Sequence, residues 1–175
     1  GSIAPRVTEA GEERFEHGVD LWTVVLEISV LMAAFPSREI AELSYKYRTL
    51  GLGYANLGSL IMSYGLPYDS DEGRALAGAI TSIMTGHAYE QSADVSSIMG
   101  PFPGYRDARC TGVSKPKAKD NVASMLEVIR LHRSAVEEIH PSTEFNYLKD
   151  EARRCWDRAL HRGEEVGYRN AQVTV

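Results

Sequence analysis

At 175 residues the chain is long enough for one domain with a real core, burying about 70% of the surface its unfolded form exposes. A hydrophobic fraction of 43% and a charged fraction of 25% exclude disorder as the default, and a formal charge of -5 argues against a general nucleic-acid binder, for which a basic face is expected. Cys110 and Cys155 lie far apart without a CxxC, which supports neither a disulfide framework nor a zinc site and fits a reducing, cytoplasmic compartment.

Gly1-Ser2 reads as a cleavage scar left by expression, which implies a segment taken from a longer protein. The rest of residues 1–18 is polar, carries Pro5 and Gly11, and is expected to be a loosely ordered N-terminus. From Asp20, LWTVVLEISVLMAAF places apolar residues nearly all the way round a helix, with Leu21, Val24, Ile28, Leu31 and Phe35 on one stripe and Val25 and Met32 beside it. The pattern predicts a buried helix covered on several sides. It contains Glu27 and Ser29 and is shorter than the roughly 20 residues of a membrane span, and Pro36 ends it. Ser37 predicts the cap of a second helix that buries Ile40, Leu43, Tyr47 and Leu50 and turns Arg38, Glu42 and Lys46 outward.

A third helix is expected from about Gly53 to Tyr64. Gly51, Gly53 and Gly58 mark a reversal where two backbones come close, and Ala55 and Ser59 predict tight packing on a neighbour. The spacing GxGxxxxG differs from a phosphate-binding loop and no strand pattern precedes it, so it reads as a packing turn. Asp69 and Glu72 read as a capping box that opens a helix reaching Met99, with Leu76, Ile80, Ile83, His87, Gln91, Val95 and Ile98 near one stripe. His87 reads as a hydrogen-bonded core histidine, since no second His or Cys lies one turn away. Gly100-Pro101 closes that helix.

Residues 102–119 are the irregular loop, with lysines 115, 117 and 119 solvated and Cys110 exposed and non-functional, having only Arg106 and Arg109 near it. Asp120 or Asn121 predicts the cap of a fifth helix to about His140 that buries Val122, Met125, Leu126, Ile129, Val136 and Ile139. After Pro141, Ser142 or Thr143 caps a sixth, with Phe145, Leu148, Ala152, Cys155 and Ala159 as its buried stripe and Gly163 as its stop. Cys155 thus reads as a small core hydrophobe. YRNAQVTV, residues 168–175, alternates as a strand with no partner visible in the chain. Glu137 and His140 make one Glu-x-x-His step. A di-iron bundle needs two such steps and two further carboxylates, so this one reads as a polar helix end. Leu131-His132-Arg133 recurs as Leu160-His161-Arg162, too short a match to be a repeat.

The blocks LGLGYANLG at 50–58 and LPYDSDEGRALAGAI at 66–80 resemble the large subunit of ribonucleotide reductases, most closely the adenosylcobalamin-dependent class. The resemblance extends over roughly Leu21 to Phe102 and more loosely over Asn121 to Val175. It implies a helical segment that follows the strand carrying the radical cysteine, and a strand YRNAQVTV that runs into the substrate-phosphate loop. It further implies an enzyme that makes deoxyribonucleotides for DNA synthesis by thiyl-radical chemistry. The implied cofactor is adenosylcobalamin, and the implied partners are a nucleotide substrate, a dithiol reductant and the remainder of the reductase chain, without nucleic acid or membrane and with homodimerisation open.

The family's Asn-x-Cys-x-Glu loop would precede Leu21 and its Pro-Thr turn would follow Val175, and neither Cys110 nor Cys155 falls where the family uses a cysteine. No catalytic, cofactor-binding or metal residue is carried over. The expected fold is mainly α, with about six helices packed as a helical subdomain over 19–167 and residues 168–175 as a short C-terminal strand of the parent α/β barrel. The expected role is structural scaffold, inactive alone and binding no cofactor. The alternatives are a free-standing helical interaction module, whose last eight residues would be ordered where a fragment's would fray or pair edge to edge with another copy, and a metal-binding bundle.

Overall fold

A computed structural model describes residues 9–107, 120–142, 144–171 and 173–174. Their elements are α1 (Glu9–Met32), α2 (Arg38–Tyr47), β1 (Leu50–Gly51), α3 (Leu57–Ser63), α4 (Asp71–Met99), α5 (Asn121–Ala135), α6 (Asn146–Val166) and β2 (Val173–Thr174). Short 3-10 turns occupy Pro103–Arg106 and Val136–Glu138.

Small side chains decide which helix becomes the centre. α4 buries Ala75, Ala79, Gly86, Ala88, Ser92, Ala93 and Ser96 together with Leu76, Ile83, Met84 and Tyr89, so neighbours close on it from several sides. Its principal neighbour is α6, whose expected stripe of Phe145, Leu148, Ala152, Cys155 and Ala159 is buried throughout. The two helices meet at Gly86, where a Cβ would lie 3.1 Å from Cys155 and 3.3 Å from the Trp156 ring. Trp156 is itself buried and donates its indole N–H to Ser82 at 2.9 Å. α5 adds Met125 and Ile129, and the turn after it adds Val136.

The helix expected to be covered all round is therefore α4, and α1 departs from expectation in two ways. It begins at Glu9, so Glu9–Gly18 are helical and not loose, while residues 1–8 lie outside the described ones. Its inner face carries Val19, Thr23 and Glu27, whereas Leu21, Trp22, Val25, Ile28, Leu31 and Met32 are exposed, Met32 at 81%. Charge sets this orientation: the partners of Glu27 all lie on the inner side, and turning the carboxylate outward would leave buried guanidinium groups uncompensated. α2 also leaves Ile40 and Leu43 exposed, with Tyr47 half-buried and Leu50 buried.

Caps follow the sequence closely where a hydroxyl or carboxylate can reach the third residue on. Ser37 accepts from Ile40 N–H and Asp120 from Ala123 N–H. On α4 the cap is Ser70, which accepts from Gly73 N–H at 3.0 Å, while Asp69 pairs with Arg74. α3 starts late, at Leu57, because Asn56 is left-handed at φ 70°. The expected close packing in that turn is absent: a Cβ on Gly51 or Gly53 would meet nothing within 4 Å, and Ala55 and Ser59 are exposed. α5 ends at Ala135, short of His140. α6 is preceded by Phe145, and not by Ser142, at its cap; Thr143 lies outside the described residues. Gly163 does not end α6, which runs to Val166 and stops at Gly167 with φ 75°. Gly163 is a contact point instead. Tyr168 doubles back over it to donate its hydroxyl to the Ala159 carbonyl at 2.8 Å, and a methyl at 163 would fall on that side chain.

The C-terminal stretch does have a partner. Val173–Thr174 pairs in parallel with β1, Leu50 opposite Val173 and Gly51 opposite Thr174, and α3 to α6 supply the long crossover that parallel pairing requires. Residues 168–170 are not strand but a buried strap. Arg169 N–H donates to Ser92 O at 3.1 Å, Ala171 N–H to Tyr47 O at 2.9 Å, and Tyr168 O accepts from Phe102 N–H at 3.0 Å. Replacing Gly163 by Ala is expected to cost about 1–3 kcal/mol in urea denaturation through overpacking against Tyr168, whereas Gly53→Ala stays within about 0.5 kcal/mol.

Candidate functional site

Two polar clusters, one buried and one partly buried, join the helices, and the first surrounds Glu27. Arg48 donates Nη2 to Glu27 Oε1 at 2.6 Å and Nε to both carboxylate oxygens at 3.0 and 3.1 Å. Arg169 Nε reaches Oε1 at 2.7 Å, and Asn170 Nδ2 reaches Oε2 at 2.8 Å. Asn170 also donates Nδ2 to Arg48 O at 3.1 Å and accepts from Ser92 Oγ at 2.8 Å. Arg48 is fully buried, and it takes up a left-handed φ of 49° at the end of α2, with its N–H on Ser44 O. Arg48 comes just before β1, and Arg169 and Asn170 just before β2, so one carboxylate clamps the entries of both strands. Both carboxylate oxygens are occupied, so the cluster positions backbone.

The second cluster lies where α1, α4 and α6 meet. His87 Nε2 lies 2.9 Å from Asp20 Oδ1, and Nδ1 lies 3.1 Å from Glu90 Oε2. Arg158 Nε is 2.9 Å from Glu90, and its Nη1 is 3.3 Å from Glu151. The buried Cys155 thiol is 3.5 Å from both Glu16 Oε1 and Glu151 Oε1 and accepts from Arg158 Nη2 at 3.4 Å. Burial pushes the Glu16 and Asp20 carboxyls up, only partly offset by His87, and it pushes the Cys155 thiol up, so that it is neutral. Burial opposes charge on His87 as well, but the Glu90 hydrogen bond and the charges of Asp20 and Glu16 outweigh it and hold the imidazole above its ordinary value. Glu90 is below the usual range despite its burial, because His87 and Arg158 bond to it.

The expected core histidine thus joins a charged network, and Cys155 belongs to both the apolar stripe and that network. Their partners Glu16, Asp20, Glu90 and Arg158 come from three helices, so no local spacing marked them. Arg48, Arg169 and Asn170 carry no local signal either, and Glu27 offers only that of a carboxylate inside the most apolar run of the chain. Glu137 and His140 do not converge. The 3-10 turn breaks the helical spacing, Glu137 binds Arg133 and Arg153, and His140 lies 3.8 Å from Asp71. The two Leu-His-Arg triplets also diverge: His132 stacks on Trp156 at 5.1 Å, while His161 is exposed beside Glu165. Cys110, Arg109 and lysines 115, 117 and 119 lie outside the described residues.

A parallel strand pair joined by a helical crossover is the unit from which parallel α/β sheets, open or closed, are built. A family model described as ribonucleotide reductase, barrel domain, matches residues 3–175. The chain belongs to the ribonucleotide reductase family. Vitamin B12-dependent ribonucleotide reductases of Agrobacterium fabrum and Bradyrhizobium diazoefficiens are 52% and 51% identical to it, over 92% and 93% of its length, and that of Rhodopirellula baltica is 42% identical over 93%. The chain spans only 13% of the first two relatives and 14% of the third. The clamp around Glu27 is closed to solvent and leaves no room for a cobalamin between its side chains.

Glu27→Gln is expected to lower unfolding free energy by about 3–5 kcal/mol in urea denaturation, because it leaves two buried guanidinium groups without a countercharge. At the surface, hydrogen bonds from Arg153 and then Arg133 bring the Glu137 carboxyl from 4.5 down to about 2. A depressed carboxyl contributes stability above its unfolded value and loses it as pH falls through the folded one, here between about pH 4.5 and 2. Carboxyl NMR titration is expected to show Glu137 protonating near the bottom of that window, and to move up in Arg153→Ala.

Proposed function

We propose that this chain is the scaffold segment of a vitamin B12-dependent ribonucleotide reductase, holding two strands of the parent α/β barrel in register. The whole enzyme converts ribonucleotides to deoxyribonucleotides for DNA synthesis. Adenosylcobalamin, the nucleotide and the dithiol reductant are engaged by parts of the reductase outside this segment, and the setting is cytoplasmic. The observation that carries this reading is the family match across residues 3–175 together with relatives about half identical and several times longer. The Glu27 clamp supports the scaffold role, since it fixes both strand entries.

The exposed face of α1 supports it too. Leu21, Val25, Ile28 and Met32, at helical spacing with Trp22 and Leu31 beside them, form an apolar patch of the kind that marks an interaction surface. No described helix is long and apolar enough to cross a membrane, so that patch is not a span. The remainder of the reductase chain is the occupant that fits, because most of the length of the relatives lies outside this segment. The competing reading, a free-standing helical interaction module, draws on the order of residues 168–171 and 173–174. Since β1 supplies the strand partner from within the chain, that order no longer separates the two readings.

The chain alone is expected to show no ribonucleotide reduction with adenosylcobalamin and a dithiol; turnover would overturn the scaffold reading. In a Trp156→Phe background, Trp22 is expected to be open to acrylamide quenching in the isolated chain and shielded in the full-length reductase. Equal quenching in both would remove the α1 face as the docking surface.

A further inference from the structure

We propose that Glu16, His87 and Cys155, with Asp20 beside them, bind one thiophilic divalent cation of the zinc type at the junction of α1, α4 and α6. One ligand atom from each of the three lies within 4.8 Å of the other two, and carboxylate, imidazole and thiolate together are a donor set that zinc takes. The imidazole is already oriented. Its Nδ1 is held by Glu90, itself fixed by Arg158, and a carboxylate on the non-ligating nitrogen is the usual support of a metal-bound histidine. Nε2 and the facing Asp20 Oδ1 are buried without an aligned hydrogen bond, which leaves both for an ion once the imidazole proton has gone. Arg158 Nη2, 3.4 Å from Cys155 Sγ, is placed to donate to the sulfur when it is a thiolate.

Glu16, Asp20, Glu90 and Glu151 face Arg158, Arg154 and the imidazole. A bound divalent ion takes the place of ligand protons, and Arg158 keeps Glu90 and Glu151 as its partners. Glu16 and Asp20 are only partly buried, which gives the ion a way in from solvent. Three ligands from three helices leave no local motif, which is why neither cysteine suggested a metal from sequence spacing.

Titration of the reduced, metal-free 175-residue chain with Co2+ tests the site directly. The expected result is saturation at about one ion per chain, with a near-ultraviolet thiolate-to-cobalt band, release of protons and displacement by Zn2+. The band is expected to persist in Cys110→Ser and to vanish in Cys155→Ser. Glu16→Gln, at a partly exposed position that does not test folding, is expected to weaken Co2+ binding at least about tenfold. Absence of a saturable band overturns the proposal. So does a band that survives Cys155→Ser, disappears in Cys110→Ser or ignores Glu16→Gln.

Discussion

The rest of the structure depends on the Glu27 carboxylate. It receives two guanidinium groups and a carboxamide from points remote in sequence, and it does so where water is excluded. Removing a buried ion from water costs several kcal/mol, and only close, multiple hydrogen bonds offset that cost. The geometry is correspondingly restrictive. Arg48 leaves the ordinary backbone regions to reach Glu27, α1 turns an apolar face outward so that Glu27 can point in, and the strap at 168–171 is held against α4 by Ser92. The parallel strand pair follows directly from where these groups are pinned.

Around this clamp the apolar core does a different job. α4 and α6 approach closely because their contact is lined by small residues, with Gly86 against Cys155 and Trp156. Tyr168 closes the far end by packing over Gly163 and against Tyr89 and Tyr105. Packing fixes the helix pair and the ionic clamp fixes what the pair presents, namely two strands that share one direction. The large apolar side chains left outside on α1 form a patch of the kind that marks an interaction surface.

Much of the fold was legible in sequence where the signal is local. Ser37 caps as read, Asp120 is the one of two offered residues that caps α5, every position of the expected α6 stripe is buried although Glu151, Trp156 and Gly163 are buried too, and the mainly helical class holds. What failed did so where a non-local partner overrules local pattern. The periodicity of α1 describes which residues are apolar, not which side meets the core, and Glu27 decided that. Leu50-Gly51 is too short to show alternation, so β2 looked partnerless. Glycines at 51 and 53 announced a close approach that occurs instead at 86 and 163. Of the two polar clusters the sequence offered only His87 and Cys155 singly. The family, by contrast, was legible in side-chain identity over the 50–58 and 66–80 blocks, a signal independent of any pattern in period or charge.

Native-state amide hydrogen exchange at the strap and the strand entries tests the central claim most directly. If the Glu27 clamp organises the unit, the amides of Arg169, Ala171 and the β1–β2 pair exchange together with the innermost amides of α4, through opening of the whole core. Strap amides that exchange orders of magnitude faster, while α4 and α6 remain protected, would show that the helices stand without the clamp and would contradict the account.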